Sequence, residues 1–352
     1  METKKAEQVI LSEETMRKWG KLVLDECKMP TDEQAPVLDE VIDCNLRGVD
    51  THGIQLLCNY AMRYKTLPPK PIEIAKDFRA VCMVNGGGNL GTIVSTFSMN
   101  KAVERAKEFG IGMVLAYDSS HFGAAGYYTR KAAEKGYIGY CCTTAIIDLA
   151  PWGSNEHVVG KNPFSIAFPG DEFPVVLDVA CSVTARNRVK AYAREGWKIP
   201  DGWALDKNGK PTNDANEALE GLFLPMGGHK GVGIAIMIEY MIAVVCGTGF
   251  SADINQLSNY STKQNIAHMF AAINPLCFSS VESMKEKSQQ FSERYHKAKL
   301  LTGVEKIYLP GEMEWICSQK RKKEGIPVSL TIVKELDAYA DTVNIAHICD
   351  IS

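Results

Sequence analysis

The chain has 352 residues, 45% hydrophobic and 23% charged, with 29 glycines and 15 prolines. That composition excludes collagen-like structure and wholesale disorder, and suits one large globular unit or a few interlocked ones. With 39 basic and 42 acidic side chains the net charge is −3, so the basic excess of a nucleic-acid or anionic-membrane binder is missing.

The opening residues, Met1-Glu2-Thr3-Lys4-Lys5, contain no apolar signal-peptide core, and a cytoplasmic location is expected. Ser12 reads as an N-cap, with Glu13 and Glu14 in the first turn and Met16, Trp19, Val23 and Cys27 on one helical face. After Pro30, Thr31 and Gln34 form a capping-box pattern for a second helix with Val37, Leu38, Val41 and Ile42 inward. That helix runs into a dense polar cluster, Arg47-Gly48-Val49-Asp50-Thr51-His52-Gly53, and the prolines at 68, 69 and 71 mark a boundary. Short apolar runs at 80–84, 111–117, 138–143, 163–168 and 175–177 read as strands, interleaved with helices at 96–108 and 124–135. This is an α/β core. An apolar helix follows the glycines of 227–233 and reaches about residue 246; its most apolar stretch, 233–245, is interrupted by Glu239 and too short to span a bilayer. The last ninety residues read as polar amphipathic helix, including 283–300 and 311–324, suited to an outer layer or a dimer contact. Eleven scattered cysteines with no C-x-x-C pair read as buried, reduced thiols, and no metal site is expected.

Four places could carry chemistry. Gly86-Gly87-Gly88-Asn89-Leu90-Gly91 matches G-x-G-x-x-G between a strand and a helix, but the acid due about twenty residues on is missing. Gly228, His229 and Lys230 open a helix without an early acid; free N–H groups, the positive end of the dipole and one lysine make a phosphate site. His121, in Ser120-His121-Phe122-Gly123, follows a strand at the mouth of a helix, where imidazole can exchange the proton that accompanies carbonyl reduction. Arg47 offers a fork for a carboxylate beside Asp50, Thr51 and His52. Asp178 ends a buried strand and could orient a histidine, cap a helix or bind ribose hydroxyls.

These segments, with Ala150-Pro151-Trp152-Gly153, Gly160-Lys161-Asn162-Pro163, Leu177-Asp178-Val179-Ala180 and Gly227-Gly228-His229-Lys230-Gly231, together resemble the malate/L-lactate dehydrogenase family. That family also holds ureidoglycolate and sulfolactate dehydrogenases and cyclic ketimine reductases. The likeness is collinear over roughly residues 10–340. It implies an NAD- or NADP-dependent oxidoreductase acting on a small 2-hydroxy or 2-oxo acid, usually a homodimer. It also implies a mixed, largely antiparallel cofactor sheet of non-Rossmann type, which lowers the standing of 86–91. The expected division is a helical outer and dimerisation unit, 1–75 with 285–352, around an NAD(P)-binding α/β domain, 76–284. By resemblance His121 is the acid/base, His52 lies in the active site with Thr51, Asp178 orients, and Asp178, Val179, Ala180, Lys230 and Ala145 meet the cofactor.

Three departures stand out. The position four residues after His52, an arginine in many relatives, is Leu56; Arg47 or Arg63 is expected to take over the substrate carboxylate, unless the substrate is less anionic there. Ser154 and Asn187 replace glycines near presumed cofactor loops. The rival functions are a cyclic ketimine reductase, with Leu56, Tyr127 and Tyr128 lining a less polar pocket, and a nucleotide-binding relative that has lost catalysis. A metal hydrolase using Asp50, His52 and His121 lacks any ligand spacing.

Overall fold

The computed structural model describes residues 7–351, apart from the side chain of Asn187; the six opening residues lie outside it. The chain starts with β1 (Gln8–Leu11), α1 (Glu13–Glu26), α2 (Thr31–Leu46) and α3 (Leu57–Thr66). The Ser12 hydroxyl accepts the Thr15 N–H, and Met16, Trp19 and Val23 are buried on the inner face of α1. The expected capping box of α2 does not form. Pro30 occupies the cap and has no hydroxyl, so Thr31 falls inside the first turn and Gln34 turns away to Asp25 and Met29.

Next come β2 (Glu73–Phe78), β3 (Val81–Asn85), α4 (Gly91–Phe109), β4 (Ile111–Ser119), α5 (Ala125–Glu134), β5 (Ile138–Thr143), β6 (Ile147–Leu149), β7 (Val159–Gly160), β8 (Phe164–Phe168) and β9 (Val175–Val179). They are followed by α6 (Arg186–Arg194), β10 (Ala204–Leu205), β11 (Pro211–Thr212), α7 (Ala215–Glu220), β12 (Leu222–Phe223), α8 (His229–Glu239), β13 (Ile266–Ile273), α9 (Val281–His296), α10 (Glu312–Glu324), β14 (Ile326–Ser329) and α11 (Leu330–Val343). The helix begun by α8 continues through a π turn at Tyr240–Val244.

Seven strands form the main sheet in the order β2-β3-β4-β13-β5-β8-β9. Only β3 and β4, linked by α4, run parallel; the other neighbours are antiparallel. A doubly wound dinucleotide fold would be mostly parallel, so this is the mixed, largely antiparallel sheet expected. Its central strand, β13, corrects the expectation of a polar helical tail: Ile266–Ile273 is an apolar run buried between β4 and β5. A smaller sheet runs β11-β10-β12-β6-β7, and β1 pairs with β14.

Packing separates several cores. Trp19, Leu57 and Tyr60 of the N-terminal helices close on Ile326, Leu336 and Ala340 from the C-terminal end. A second core lies between α4, α5 and the main sheet around Val114, Tyr128 and Phe270. A third joins α8 to Cys142, Leu149 and Cys181. The boundary expected between residues 284 and 285 falls inside α9, a helix with no buried residue. All eleven cysteines are free thiols, but Cys277 and Cys349 are exposed rather than buried. Among the described residues no helix is long and apolar enough to cross a membrane, and no group of three potential ligands is arranged for a metal ion.

Candidate active site

The turn after α2 is built around Asn45 and Arg321. Asn45 accepts the Ile54 N–H at 2.7 Å and donates to Asp50 at 2.8 Å, while Arg321 of α10 reaches both Asp50 carboxylate oxygens at 2.7 and 3.0 Å. Asp50 is therefore spent as a strut. The short turn Asp50–His52 lifts His52 off the helix end, and its Nδ1 shares a hydrogen bond with Thr51 Oγ1 at 3.0 Å.

His121 follows β4, whose hydrogen bonding to β3 and β13 fixes where the strand ends. Its N–H donates to Gln264 Oε1 at 2.9 Å. The Gly123 N–H donates to His121 Nδ1 at 3.3 Å, and the Tyr60 hydroxyl lies 2.9 Å from the same atom. With Nδ1 an acceptor, the hydrogen-bond pattern assigns the neutral ring's hydrogen to Nε2. The His52 and His121 rings stack at 5.7 Å, inclined by 14°. Desolvation pushes His121 down to about 3, helped by His52 and His268. His52 is pushed down to about 4 by desolvation and then by the charge of Lys161. Both imidazoles are neutral at physiological pH.

In the sequence Lys161 stands only as part of the Gly160-Lys161-Asn162-Pro163 segment. Its ammonium lies 2.7 Å from Asp148, which is buried and also held by Arg186 at 2.7 Å. Two cations on one carboxylate leave one positive charge in excess beside His52. Asn162, next in sequence, braces this corner: its amide accepts the Ala145 N–H at 2.9 Å and donates to Ala235 O and Glu239 of α8. Tyr60 is the other group without a sequence signal; a tyrosine on the buried face of an amphipathic helix does not announce its partner sixty-one residues away.

The expected phosphate loop opens α8 with Gly228 as its cap, at φ +66°. A Cβ there would come within 3.2 Å of the Trp152 ring, so only glycine lets the loop lie against that indole. His229 and Lys230 are exposed, and among the described residues no loop acceptor takes the N–H of His229, Lys230 or Gly231. Such an end fits an anionic diphosphate. Asp178 lies on β9, which is an edge strand exposed at Leu177 and Asp178 rather than a buried one, and it accepts the Gly126 N–H at the start of α5 at 2.7 Å; desolvation raises its carboxyl to about 6, opposed by that bond and reinforced by Glu314. Past Val179 and Ala180 the chain pairs with the other loop, Cys181 O accepting the Met226 N–H at 2.9 Å and Ser182 bridging to Pro225. Residues 178–182 thus connect the His121 turn to the α8 entrance.

Other expected contributors are committed elsewhere. Arg47 pairs with Asp43 in a cluster with Arg130. Arg63 is buried and donates to the carbonyls of Gln256, Leu257, Asn259 and Thr262, pinning that loop. Tyr127 and Tyr128 are buried in the core against the main sheet. The 86–91 turn has no donor to offer, since every N–H from Gly86 to Gly91 meets an internal acceptor.

Comparison with known proteins decides the family. Residues 11–337 match the sequence profile described as malate/L-lactate dehydrogenase. The chain belongs to the malate/L-lactate dehydrogenase family. A malate/(S)-sulfolactate dehydrogenase of Methanothermus fervidus is 36% identical over 310 residues, covering 87% of this chain and 90% of that protein. A Δ1-pyrroline-2-carboxylate reductase of Ancylobacter novellus is 29% identical over 297 residues, 82% of this chain and 85% of the relative. The solved sulfolactate dehydrogenase of Methanocaldococcus jannaschii superposes with a TM-score of 0.91 at 33% identity, covering 97% and 99% of the two chains. As a member of this family the chain is a dehydrogenase.

Proposed function

We propose that the protein interconverts a small 2-hydroxy acid and its 2-oxo acid with NAD or NADP, as a cytoplasmic homodimer. The observation that carries this reading is the stacked, neutral His52–His121 pair beside the surplus charge of Lys161. The nicotinamide, when bound, supplies or accepts the hydride. Lys230, His229 and the Gly228 turn would hold its diphosphate, with Asp178, Val179 and Ala180 along its length and Ala145 near it.

His121 manages the proton. In reduction its Nε2–H polarises the carbonyl oxygen, and the ring passes to the forming alkoxide one proton taken up from solvent; in oxidation it takes the hydroxyl proton and releases it to solvent, while Tyr60 orients the ring. His52, held by Thr51, walls the other side of the ring. Lys161 is the cation best suited to the substrate carboxylate, in place of the arginine that Leu56 lacks, since Arg47 and Arg63 are engaged. Exposed apolar side chains on the α8 helix, among them Met237, Tyr240 and Val245, support burial against a second copy.

The test is turnover of oxaloacetate and pyruvate with NADH and with NADPH. Turnover with one of them is expected, with Lys161→Ala raising KM about tenfold or more, the loss of one charged hydrogen bond. Binding of either nucleotide without turnover of any 2-oxo acid would sink the reading. The cyclic ketimine reductase alternative has the apolar Leu56 in its favour, and predicts turnover only when a primary amine is added.

A further inference from the structure

Behind the His121 turn lies a carboxyl that the proposed reaction does not touch. Glu40 sits on the inner face of α2 and is fully buried. Its Oε1 accepts the Ala124 N–H at 2.9 Å and the Cys44 thiol at 3.0 Å. Its Oε2 has no partner among the described residues. Gly123 stands at φ +77°, and a Cβ there would lie 1.9 Å from Glu40 Oε1 and 2.4 Å from Oε2. The glycine therefore exists to let the carboxyl press on this turn. A buried carboxyl with an unpaired oxygen costs stability, and Leu or Met at the same helical position would fill the space without that cost.

What Glu40 holds is the backbone that defines His121. Gly123 N–H is the donor on His121 Nδ1, and Ala124 N–H, the next one along, is the donor on Glu40. Pulling the second fixes the direction of the first. We infer that Glu40 is a positioning residue: by anchoring the Ala124 N–H it aims the Gly123 N–H at Nδ1 and so keeps the His121 hydrogen on Nε2. It never meets substrate or cofactor. Because only an oxygen acceptor is required, the carboxyl works in its neutral form; burial raises it to about 8, with Cys44 and the Ala124 N–H opposing that rise. The titratable groups around it are Cys44 and Asp43 on its own helix, Tyr60 on α3, Tyr127 and Tyr128 on α5, and Asp178 on β9.

The inference rests on His121 being the proton-handling group, and its test separates the two. The full-length protein is prepared as wild type, Glu40→Gln, Glu40→Asp and, as a control, His121→Ala, each checked for folding by thermal melting. Histidine 15N spectra then report the His121 tautomer whether or not the enzyme turns over, and oxaloacetate or pyruvate with NADH or NADPH reports kcat and KM. Glu40→Gln retains an oxygen for Ala124 and is expected to keep the Nε2–H tautomer and kcat within about threefold of wild type. Glu40→Asp withdraws the acceptor by one methylene and is expected to mix the tautomers and lower kcat by about 10- to 100-fold, with KM and NADH affinity unchanged. The reverse order, Asp tolerated and Gln not, would mean that charge rather than the acceptor matters and would overturn the proposal. An unaltered tautomer in Glu40→Asp would overturn it too. If His121→Ala retained full turnover, the role of His121 would fall, while the tautomer comparison would still decide the role of Glu40.

Discussion

The two glycine-rich turns, 86–91 and 227–233, occupy similar places, each leading from a strand toward a helix, and they have opposite fates. In the first, which carries the better-known spacing, Gly86 and Gly88 donate to the carbonyls of Tyr117 and Asp118, Gly87 to the Asn85 side chain and Gly91 to Ser120. Its glycines serve close approach of one backbone to another. In the second the N–H groups at the start of α8 face outward beside Lys230, with no acid in the first turn. A phosphate loop is recognised by donors left over, and glycine spacing alone does not count them.

The contrast can be broken or sharpened by mutation. If the cofactor runs from the α8 entrance along 178–182, its reacting end meets the paired imidazoles, and His121→Ala should lower kcat about 10²- to 10⁴-fold with nucleotide binding little altered; stopped-flow turnover and fluorescence titration read the two quantities separately. Lys230→Ala should weaken NADH or NADPH binding about tenfold and leave the melting temperature unchanged. Gly87→Ala should do the reverse. It places a Cβ 2.4 Å from the Lys70 carbonyl at a φ of +65°, costing about 1–3 kcal/mol of stability with nucleotide affinity intact. Affinity lost in Gly87→Ala and kept in Lys230→Ala would move the cofactor to the other turn.

A smaller effect concerns the closed side of the site. His52, His121 and His268 are held down to about 4, 3 and 3, chiefly by desolvation. The unfolded chain takes up these protons below about pH 6.5 and the folded chain does not. Their contribution is complete above that pH and is lost as pH falls toward their folded values. Glu40, fully buried and raised to about 8, works in the opposite direction, while the exposed Asp178 adds little because solvent screens it. Calorimetry of the nucleotide-free protein should therefore show a melting temperature a few degrees lower near pH 5 than near pH 7, about the effect of one or two kcal/mol.

Much of this was legible in the sequence because it is local. Ser12 announces α1, the spacing of Val37, Val41 and Ile42 shows the buried side of α2, and β5 is found residue for residue at Ile138–Thr143. His52 and His121 stood out as histidines at the ends of elements. What stayed hidden depends on partners distant in the chain. β13 falls within the last ninety residues, whose overall polarity reads as amphipathic helix; its His268 is buried in the sheet with both ring nitrogens satisfied, by Thr143 of β5 at 2.7 Å and Ser119 of β4 at 2.9 Å. Arg63 looked like a free cation until the 256–262 loop folded over it. Glu40 gives no signal in the sequence, since nothing nearby tells that Gly123 makes room for it.

The Asn162 side chain has a consequence for kinetics. One planar amide joins the backbone of Ala145 to the helix that begins at His229, and its own neighbour is Lys161. The Lys161 corner and the α8 entrance cannot settle independently. If the dinucleotide seats on that helix as proposed, it also sets the Lys161 ammonium proposed for the acid, and compulsory-order addition, coenzyme first, is the expected initial-rate pattern.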